Sequence, residues 1–576
     1  MTHTDLELIR HSTAHVMAEA VADLYPGTRF GIGPAIEDGF YYDFDCPHSF
    51  SPEDFERIEA RMHEIVAQRK PFVRDVVGRD GARKLMAGQD YKLELIDELG
   101  DDEEISVYTN GSFIDLCRGP HVADAGKLGY FKLTKIAGAY WRGSNDRPML
   151  QRLYGTAWET GQQLTEYLTC LEEAEKRDHR KLGKELDLFS FHEVAGAGLP
   201  LYHPKGARVL RLLQDWLRGV LYERGYVEAI TPHIYKTEVW KVSGHWENYK
   251  ENMYFFEIND GDAEHPKVNE YAVKPMNCPG HLMIYADSLH SYRDLPIRMF
   301  EFGTVYRHEL SGVVHGLMRA RGFTQDDAHI FCRGDQVPDE VNRMLDLVDY
   351  VMETFGFTYT AELSTRPEKS MGSAQTWEFT TGVLRDTLDK RGIEYEINEG
   401  DGAFYGPKID IKLRDAIGRT WQCSTIQFDA LLPERFELEY RTADNAVERP
   451  YMLHRTILGS MERFFGILIE HYAGALPVWL APVQAVIIPI SDDQLEAANH
   501  VARTLQESGV RTEVDTSSER MGAKIAKATA QKVPYMLILG KREIENDVVA
   551  LRHRTEGDLG TMTVQEFADL VNRQHP

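Results

Sequence analysis

Two pairs of side chains carry a spacing that suits chemistry. In "HSTAH", His11 and His15 stand four apart, and the apolar positions from Leu6 to Leu24 recur at helical spacing, so the two imidazoles share one helix face. In "DLCRGPH", Cys117 and His121 are also four apart, with Asp115 two residues before the cysteine. A thiol and an imidazole at this spacing form half of a zinc site, yet no second Cys or His pair follows within the few tens of residues a zinc finger needs. Metal ligation and acid-base work are both open to such residues.

A scaffold of several domains has to position them. At 576 residues the chain is too long for one core, and about 150 residues per domain predicts three or four. With 43% hydrophobic and 27% charged residues the composition is that of a globular protein. Six scattered cysteines read as reduced thiols or ligands rather than a disulfide framework. The start "MTHTDLELIR" lacks a secretion signal. The most apolar stretch, 476 to 490, is too short for a membrane span and is interrupted by Pro477, Pro482 and Pro489. A cytoplasmic location without a membrane partner is expected. The net charge of −26 leaves no overall footprint for nucleic acid. DNA is therefore not an expected partner, and any RNA contact has to come from local basic patches.

Along the chain, the helix ending at "YPG" and the strand "GFYYDFD" open an α+β domain over 1–160. A charged helical stretch over 161–187 follows, ending in "KRDHRKLGK"; it reads either as a solvated linker or as a phosphate-contacting patch. Residues 188–476 are rich in strand patterns such as "IRMFEFGTVYR". Over 477–576 the buried strand "VQAVIIPI", a Ser491/Gln494 capping box, a helix closed by Gly509 and the strand "YMLILG" mark a small α/β domain. The expected fold class is α+β multidomain.

Neither G-x-x-x-x-G-K-[ST] nor G-x-G-x-x-G nor G-x-S-x-G occurs, so a nucleotide would be held by another route. Three weak pieces suggest one: "GYVEAITPHI" with Pro232, "VYRHE" with Arg307 and Glu309, and "LGSMERF" with Gly459 and Arg463. In this order they resemble motifs 1, 2 and 3 of the class II aminoacyl-tRNA synthetases. The longer blocks "SGHWENYKENM", "KPMNCPGHLMIY", "HGLMRARGFTQDDAHIFC", "LSTRPEK", "GAFYGPKID" and "HRTILGSMERF" resemble the threonyl-tRNA synthetase family, with a likeness running from about residue 6 to the C terminus. That family usually begins with a ubiquitin-like domain, and this chain opens at what matches the second domain.

The resemblance implies a class II antiparallel-sheet catalytic core, an N-terminal editing domain and a C-terminal anticodon-binding domain. It implies ligation of L-threonine to tRNA(Thr) with ATP, one Zn²⁺ per subunit, Mg²⁺ with the ATP, and a homodimer. Arg307, Arg319 and Arg463 match the arginines facing the phosphates. Glu309 and Phe323 match adenine contacts, with Gln422 in the same ATP-binding set. Cys278, His329 and His454 match the zinc ligands, a set with a coordination position left open for threonine. Asp327 matches the acceptor of the threonine hydroxyl, with Met276, Gln325, Tyr405 and Gln427 lining the pocket. His245 matches the base for transfer to the tRNA. A metal that reads the hydroxyl rejects valine, but serine lacks only a methyl, worth about 1–3 kcal/mol, so a hydrolytic second site is required. His11, His15, Cys117 and His121, with Lys92 and Asp115, match that editing centre, as water-activating groups or as a metal set. Glu543 and Arg552 match anticodon readers, while Ser518 stands where Asn is expected. The competing reading is a non-ligating paralogue, either an RNA binder or an editing-only deacylase, and the intact arginine and zinc sets disfavour it.

Overall fold

The computed structural model describes residues 5–100, 102–144, 146–262 and 264–576. Two compact units result, Met1–Glu172 and Glu173–Pro576. The division falls inside the helix Gly161–Arg177, the first part of the predicted linker.

In the first unit, the helix Asp5–Leu24 buries Ala14, Val16, Met17, Ala18, Ala20 and Val21 completely. It lies with the helix Phe55–Ala67 against an antiparallel sheet ordered Arg29–Phe30, Gly39–Asp45, Met149–Trp158, Tyr130–Tyr140. The predicted strand "GFYYDFD" is Gly39–Asp45. A second antiparallel sheet joins Phe72–Val76, Ser106–Asn110 and Phe113–Leu116. Its last hairpin turns at Gly111-Ser112, where Gly111 adopts φ +61°, the left-handed backbone such a tight turn favours. The strand Phe113–Leu116 buries Asp115 and delivers the chain to Cys117.

The second unit is built on an eight-stranded sheet ordered Val227–Glu228, Ile297–Tyr306, Gly322–Cys332, Tyr451–Ser460, Thr420–Asp429, Lys408–Arg414, Thr358–Ser364, Tyr395–Asn398. The pairing is antiparallel except at the two outermost pairs, which are parallel. The helices Pro204–Glu223, Val337–Phe355 and Met461–His471 pack into its core through residues such as Val209, Leu213, Leu217, Val341, Leu345, Val348, Phe464 and Leu468, spaced three and four apart as one helix face demands. A separate five-stranded sheet, Thr512–Val514, Ala485–Pro489, Tyr535–Leu539, Val549–His553, Gly557–Met562, is parallel over its first three strands and antiparallel over the last two. The predicted capping box is present, with Ser491 N–H donating to Gln494 Oε1 at 2.9 Å ahead of the helix Leu495–Glu507. The linker stretch is two helices rather than one. It breaks at Asp178, which caps His179–Glu185 by accepting from Arg180 N–H.

Candidate active site

The antiparallel register of Gly322–Cys332 against Tyr451–Ser460 sets His329 directly opposite His454. Cys278 opens the helix Cys278–Ala286. Cys278, His329 and His454 can each turn one donor atom so that all three lie within 4.8 Å, and all are buried. Each imidazole is held through its other nitrogen. His329 Nδ1 lies 2.8 Å from His281 Nδ1, and His454 Nε2 lies 2.9 Å from Asp429 Oδ2, the outer-shell contacts that orient metal-binding histidines. His329 Nε2 is buried with no hydrogen-bond partner. An orphaned lone pair beside a thiol and a second imidazole fits a zinc ion by type and number of donors. Burial keeps the His329 ring well below its ordinary range and pushes the Cys278 thiol well up; a bound cation reverses the thiol shift.

These residues line a cavity of about 410 Å³ together with Met276, Arg307, Gln325, Asp327, Tyr405, Gln422 and Gln427. Every residue nominated for threonine is on its wall. Asp327 accepts from Asn277 Nδ2 at 3.0 Å, and burial raises its carboxyl to about 6. Tyr405 stacks on His454 and donates to Gln427 Oε1 at 2.5 Å. His245 lies apart from these residues. It is wholly buried and lies outside the cavity wall, its Nδ1 2.7 Å from Ser243 Oγ and its Nε2 3.0 Å from Met276 Sδ. Burial lowers it to about 3.

A second cavity, about 600 Å³, shares Arg307, Gln325, Gln422, Thr425 and Thr456 with the first and adds Glu309, Arg319, Phe323 and Arg463. The Arg307 guanidinium sits 5.1 Å from the Phe323 ring centroid. Arg319 pairs with Glu309 at 2.9 Å, and Gln422 Nε2 donates to Asp410 Oδ1 at 2.6 Å. Arg463 Nε is buried and unpartnered. It is aimed by the strand-to-helix junction, where Ser460 Oγ accepts from Arg463 N–H at 3.0 Å and Gly459 holds φ +76°. A Cβ at Gly459 would lie 2.7 Å from Cys423 O.

In the first unit His11, His15, Cys117 and His121 also bring donors within 4.8 Å of one another. Hydrogen bonding links His11, Cys117 and His121. Pro120 O can only accept, so His11 Nδ1, at 3.2 Å, carries the proton and Nε2 accepts from the Cys117 thiol at 3.3 Å. Ser12 Oγ accepts Val122 N–H at 3.0 Å, and its own proton can go to His121 Nδ1 at 3.0 Å, an arrangement that puts the His121 proton on Nε2, 3.4 Å from Cys117 Sγ. Burial pushes Cys117 up to about 11, a thiol rather than a thiolate, and holds His15 and His121 below their ordinary range. Asp115 is gripped by Lys92 at 2.7 Å and by Tyr42 OH at 2.5 Å, and lies 3.6 Å from His15 Nδ1.

Residues 256–472 match the tRNA synthetase class II core domain (G, H, P, S and T), 484–574 an anticodon binding domain, and 105–154 the second additional domain of threonyl and alanyl tRNA synthetases. The threonine–tRNA ligase of Clostridium botulinum (strain Okra) is 53% identical over 568 residues, 98% of this chain and 88% of that one. The chain belongs to the threonine–tRNA ligase family. The Acidithiobacillus ferrooxidans ligase (strain ATCC 53993) is likewise 53% identical, over 562 residues that make up 97% of this chain and 86% of the other. The crystal structure of the RNA binding domain of threonyl-tRNA synthetase from Cryptosporidium parvum is 40% identical with TM-score 0.66, covering 69% of this chain and 98% of that one.

The activity of this ligase is joining threonine to tRNA on a class II core, as the sequence motifs imply. Its anticodon-domain candidates occupy consecutive elements. Glu543 sits in the helix Lys541–Glu545, its carboxylate accepting Gly540 N–H, and Arg552 lies on Val549–His553 opposite Met536. Ser12 and Tyr42 are site residues that motif reading missed. Ser12 stood inside the quoted "HSTAH", but a serine between two histidines on a helix signals nothing by itself. No helix among the described residues is long and apolar enough to cross a membrane.

Proposed function

We propose that this ligase binds threonine in the cavity of Cys278, His329 and His454, binds ATP in the adjoining cavity, and hydrolyses mischarged seryl-tRNA(Thr) at the His11, His15, Cys117 and His121 centre. The shared wall of the two cavities carries the reading. Arg307 lines both, so a carboxylate in one can reach an α-phosphate in the other beside a fixed guanidinium. The carboxylate oxygen forms a bond to phosphorus, the bond to the bridging oxygen breaks, and pyrophosphate leaves. Arg307, Arg319 and Arg463, with the Mg²⁺ that accompanies ATP, face the charge that builds on phosphorus.

Zinc held by Cys278, His329 and His454 would supply a Lewis acid for the amino and hydroxyl groups of threonine. Asp327 accepts from the hydroxyl. Valine, without that hydroxyl, leaves the buried carboxyl one donor short, which costs about 1–3 kcal/mol. Tyr405 and Gln427, locked to each other, fix the pocket floor. For transfer to the terminal ribose, His245 is the proposed base. Its neutral ring has a lone pair to offer, and tRNA entry has to draw the Met276 sulfur away from Nε2 first.

In the editing centre the neutral His15 is the imidazole with a lone pair left to polarise a water toward the seryl ester, with His11, Cys117 and His121 around it, while Lys92 and Tyr42 hold Asp115. Glu543 and Arg552 are the proposed anticodon readers. A second copy of the chain is the proposed partner across the edge strand Val227–Glu228, where Val227, Ile230 and Ile234 are exposed, Ile230 to 89%. The domains proposed are editing 1–160, linker 161–187, catalytic 188–476 and anticodon-binding 477–576, in a cytoplasmic enzyme.

Amino-acid-dependent ATP–pyrophosphate exchange, with zinc determined on the same sample, tests this reading. Exchange with threonine, less with serine and none with valine supports it, as does loss of both zinc and exchange in C278A. C278A with unchanged zinc and exchange overturns the metal site.

A further inference from the structure

The stretch "KRDHRKLGK" finds no role in the chemistry above, yet it places one side chain at the ATP cavity's supports. His179, the first residue of the helix His179–Glu185, is completely buried. Its Nε2 accepts Leu317 N–H at 3.0 Å, so the ring proton is on Nδ1, which donates to Glu470 Oε1 at 2.7 Å. Glu470 Oε1 also takes His179 N–H at 3.0 Å, and Oε2 lies 2.6 Å from the Arg419 guanidinium. Both ring nitrogens are spent. The trio Asp178, His179 and Glu470, whose donors fall within 4.8 Å, therefore has no imidazole lone pair for an ion.

Each end of this bridge leads to an arginine of the ATP cavity. Leu317 lies in a tight turn closed by Arg319 N–H to His315 O at 3.2 Å and His315 N–H to Arg319 O at 3.1 Å, and Arg319 pairs with Glu309 at 2.9 Å. Glu470 is on the helix Met461–His471, whose first turn carries Arg463. The turn rests directly on the ring. Gly316 has φ +50°, and a Cβ there would lie 2.2 Å from His179 Nε2. One imidazole thus joins the turn that presents Arg319 to the helix that presents Arg463.

We propose that His179 is a positioning residue for ATP: it sets the His315–Arg319 turn against the Met461–His471 helix, so that Arg319 and Arg463 meet the nucleotide in a fixed mutual arrangement. The inference rests on the ATP-site reading above. Without the imidazole, the buried Leu317 N–H has no acceptor and the turn is free to drift from the helix.

The test is pyrophosphate exchange by the full chain with ATP and threonine each titrated, alongside deacylation of preformed seryl-tRNA. His179→Ala is expected to raise KM for ATP roughly 10-fold, the effect of one lost buried hydrogen bond, with KM for threonine and deacylation unchanged. His179→Gln, whose amide oxygen can still reach Leu317 N–H, is expected to recover most of the ATP affinity. His179→Asn, which reaches only Glu470, is not, and it keeps the test open if the alanine variant fails to fold. An ATP KM unmoved in both the alanine and asparagine variants overturns the proposal. So does a parallel decline in ATP, threonine and deacylation parameters, which marks a general packing role. R319A and R463A serve as controls: if these leave the ATP KM unchanged, the ATP-site reading itself fails, whereas a response to them and none to His179 variants fails this inference alone.

Discussion

Arg455 and Asp326 are both wholly buried. The carboxylate takes the guanidinium at 3.2 Å and the Ile457 and Leu458 N–H groups at 2.8 and 3.0 Å. Removing one partner of such a pair strands the other charge, at a cost of about 3–5 kcal/mol. D326A is therefore expected to lower unfolding free energy by about that amount in urea titration, and to weaken threonine binding because Arg455 also lines the metal-type cavity. Glu19 gives the opposite sign. It is buried, Oε2 has no partner, and desolvation raises its carboxyl to about 7 despite Lys70 and Arg61 nearby. Below pH 4.5 both folded and unfolded states are protonated. Between 4.5 and 7 only the unfolded state ionises, and above 7 the folded state holds a buried charge. E19Q should stabilise by an amount that grows from pH 4.5 to 7 and then levels at no more than about 3 kcal/mol; a gain independent of pH refutes the assignment. At this scale the residues that line the two adjoining cavities were legible, because they sit in long motif blocks. Ser12 and Tyr42 were not, because their roles depend on what a distant strand or loop brings to them.

At the scale of elements, the helix Asp5–Leu24 and the loop from Cys117 to Val122 are wired together through Ser12. S12A leaves Val122 N–H unmet and frees His121 to change tautomer. Deacylation of seryl-tRNA should fall roughly 10-fold while threonine-dependent exchange stays as it is; unchanged deacylation would show that the tautomer does not matter. The junction of Tyr451–Ser460 with Met461–His471 is equally demanding. Gly459→Ala has to place a methyl 2.7 Å from Cys423 O at φ +76°, at a cost of about 1–3 kcal/mol, and should raise the KM for ATP through a displaced Arg463. Helix and strand positions followed from apolar periodicity, from "GFYYDFD" to the capped helix after Ser491. The break at Asp178 did not, since a charged helix reads the same with or without a one-residue interruption.

For the whole molecule, the sequence changes character near 476 and a separate five-stranded sheet lies beyond it, yet the chain from Glu173 to the C terminus is one compact unit. Lys205 donates to Gln531, Arg554 donates to the carbonyls of Ala475 and Leu476, and Trp216 lies 5.6 Å from Trp479. Such contacts join residues from 78 to 326 positions apart, and no local pattern reports them. The exposed edge at Val227, Ile230 and Ile234 predicts self-association. Sedimentation should give a dimer for the unaltered chain and a monomer for I230D; a dimer that persists in I230D moves the interface elsewhere.

Cys278, His329 and His454 come from a helix and two strands scattered over the catalytic sheet. A chain still emerging from the ribosome has no such site to offer, whatever metals surround it. An ion at this site would therefore be chosen late, by donors that folding has already brought together, rather than early by whichever metal grips loose thiols most tightly. Folding would then act as quality control over metal choice.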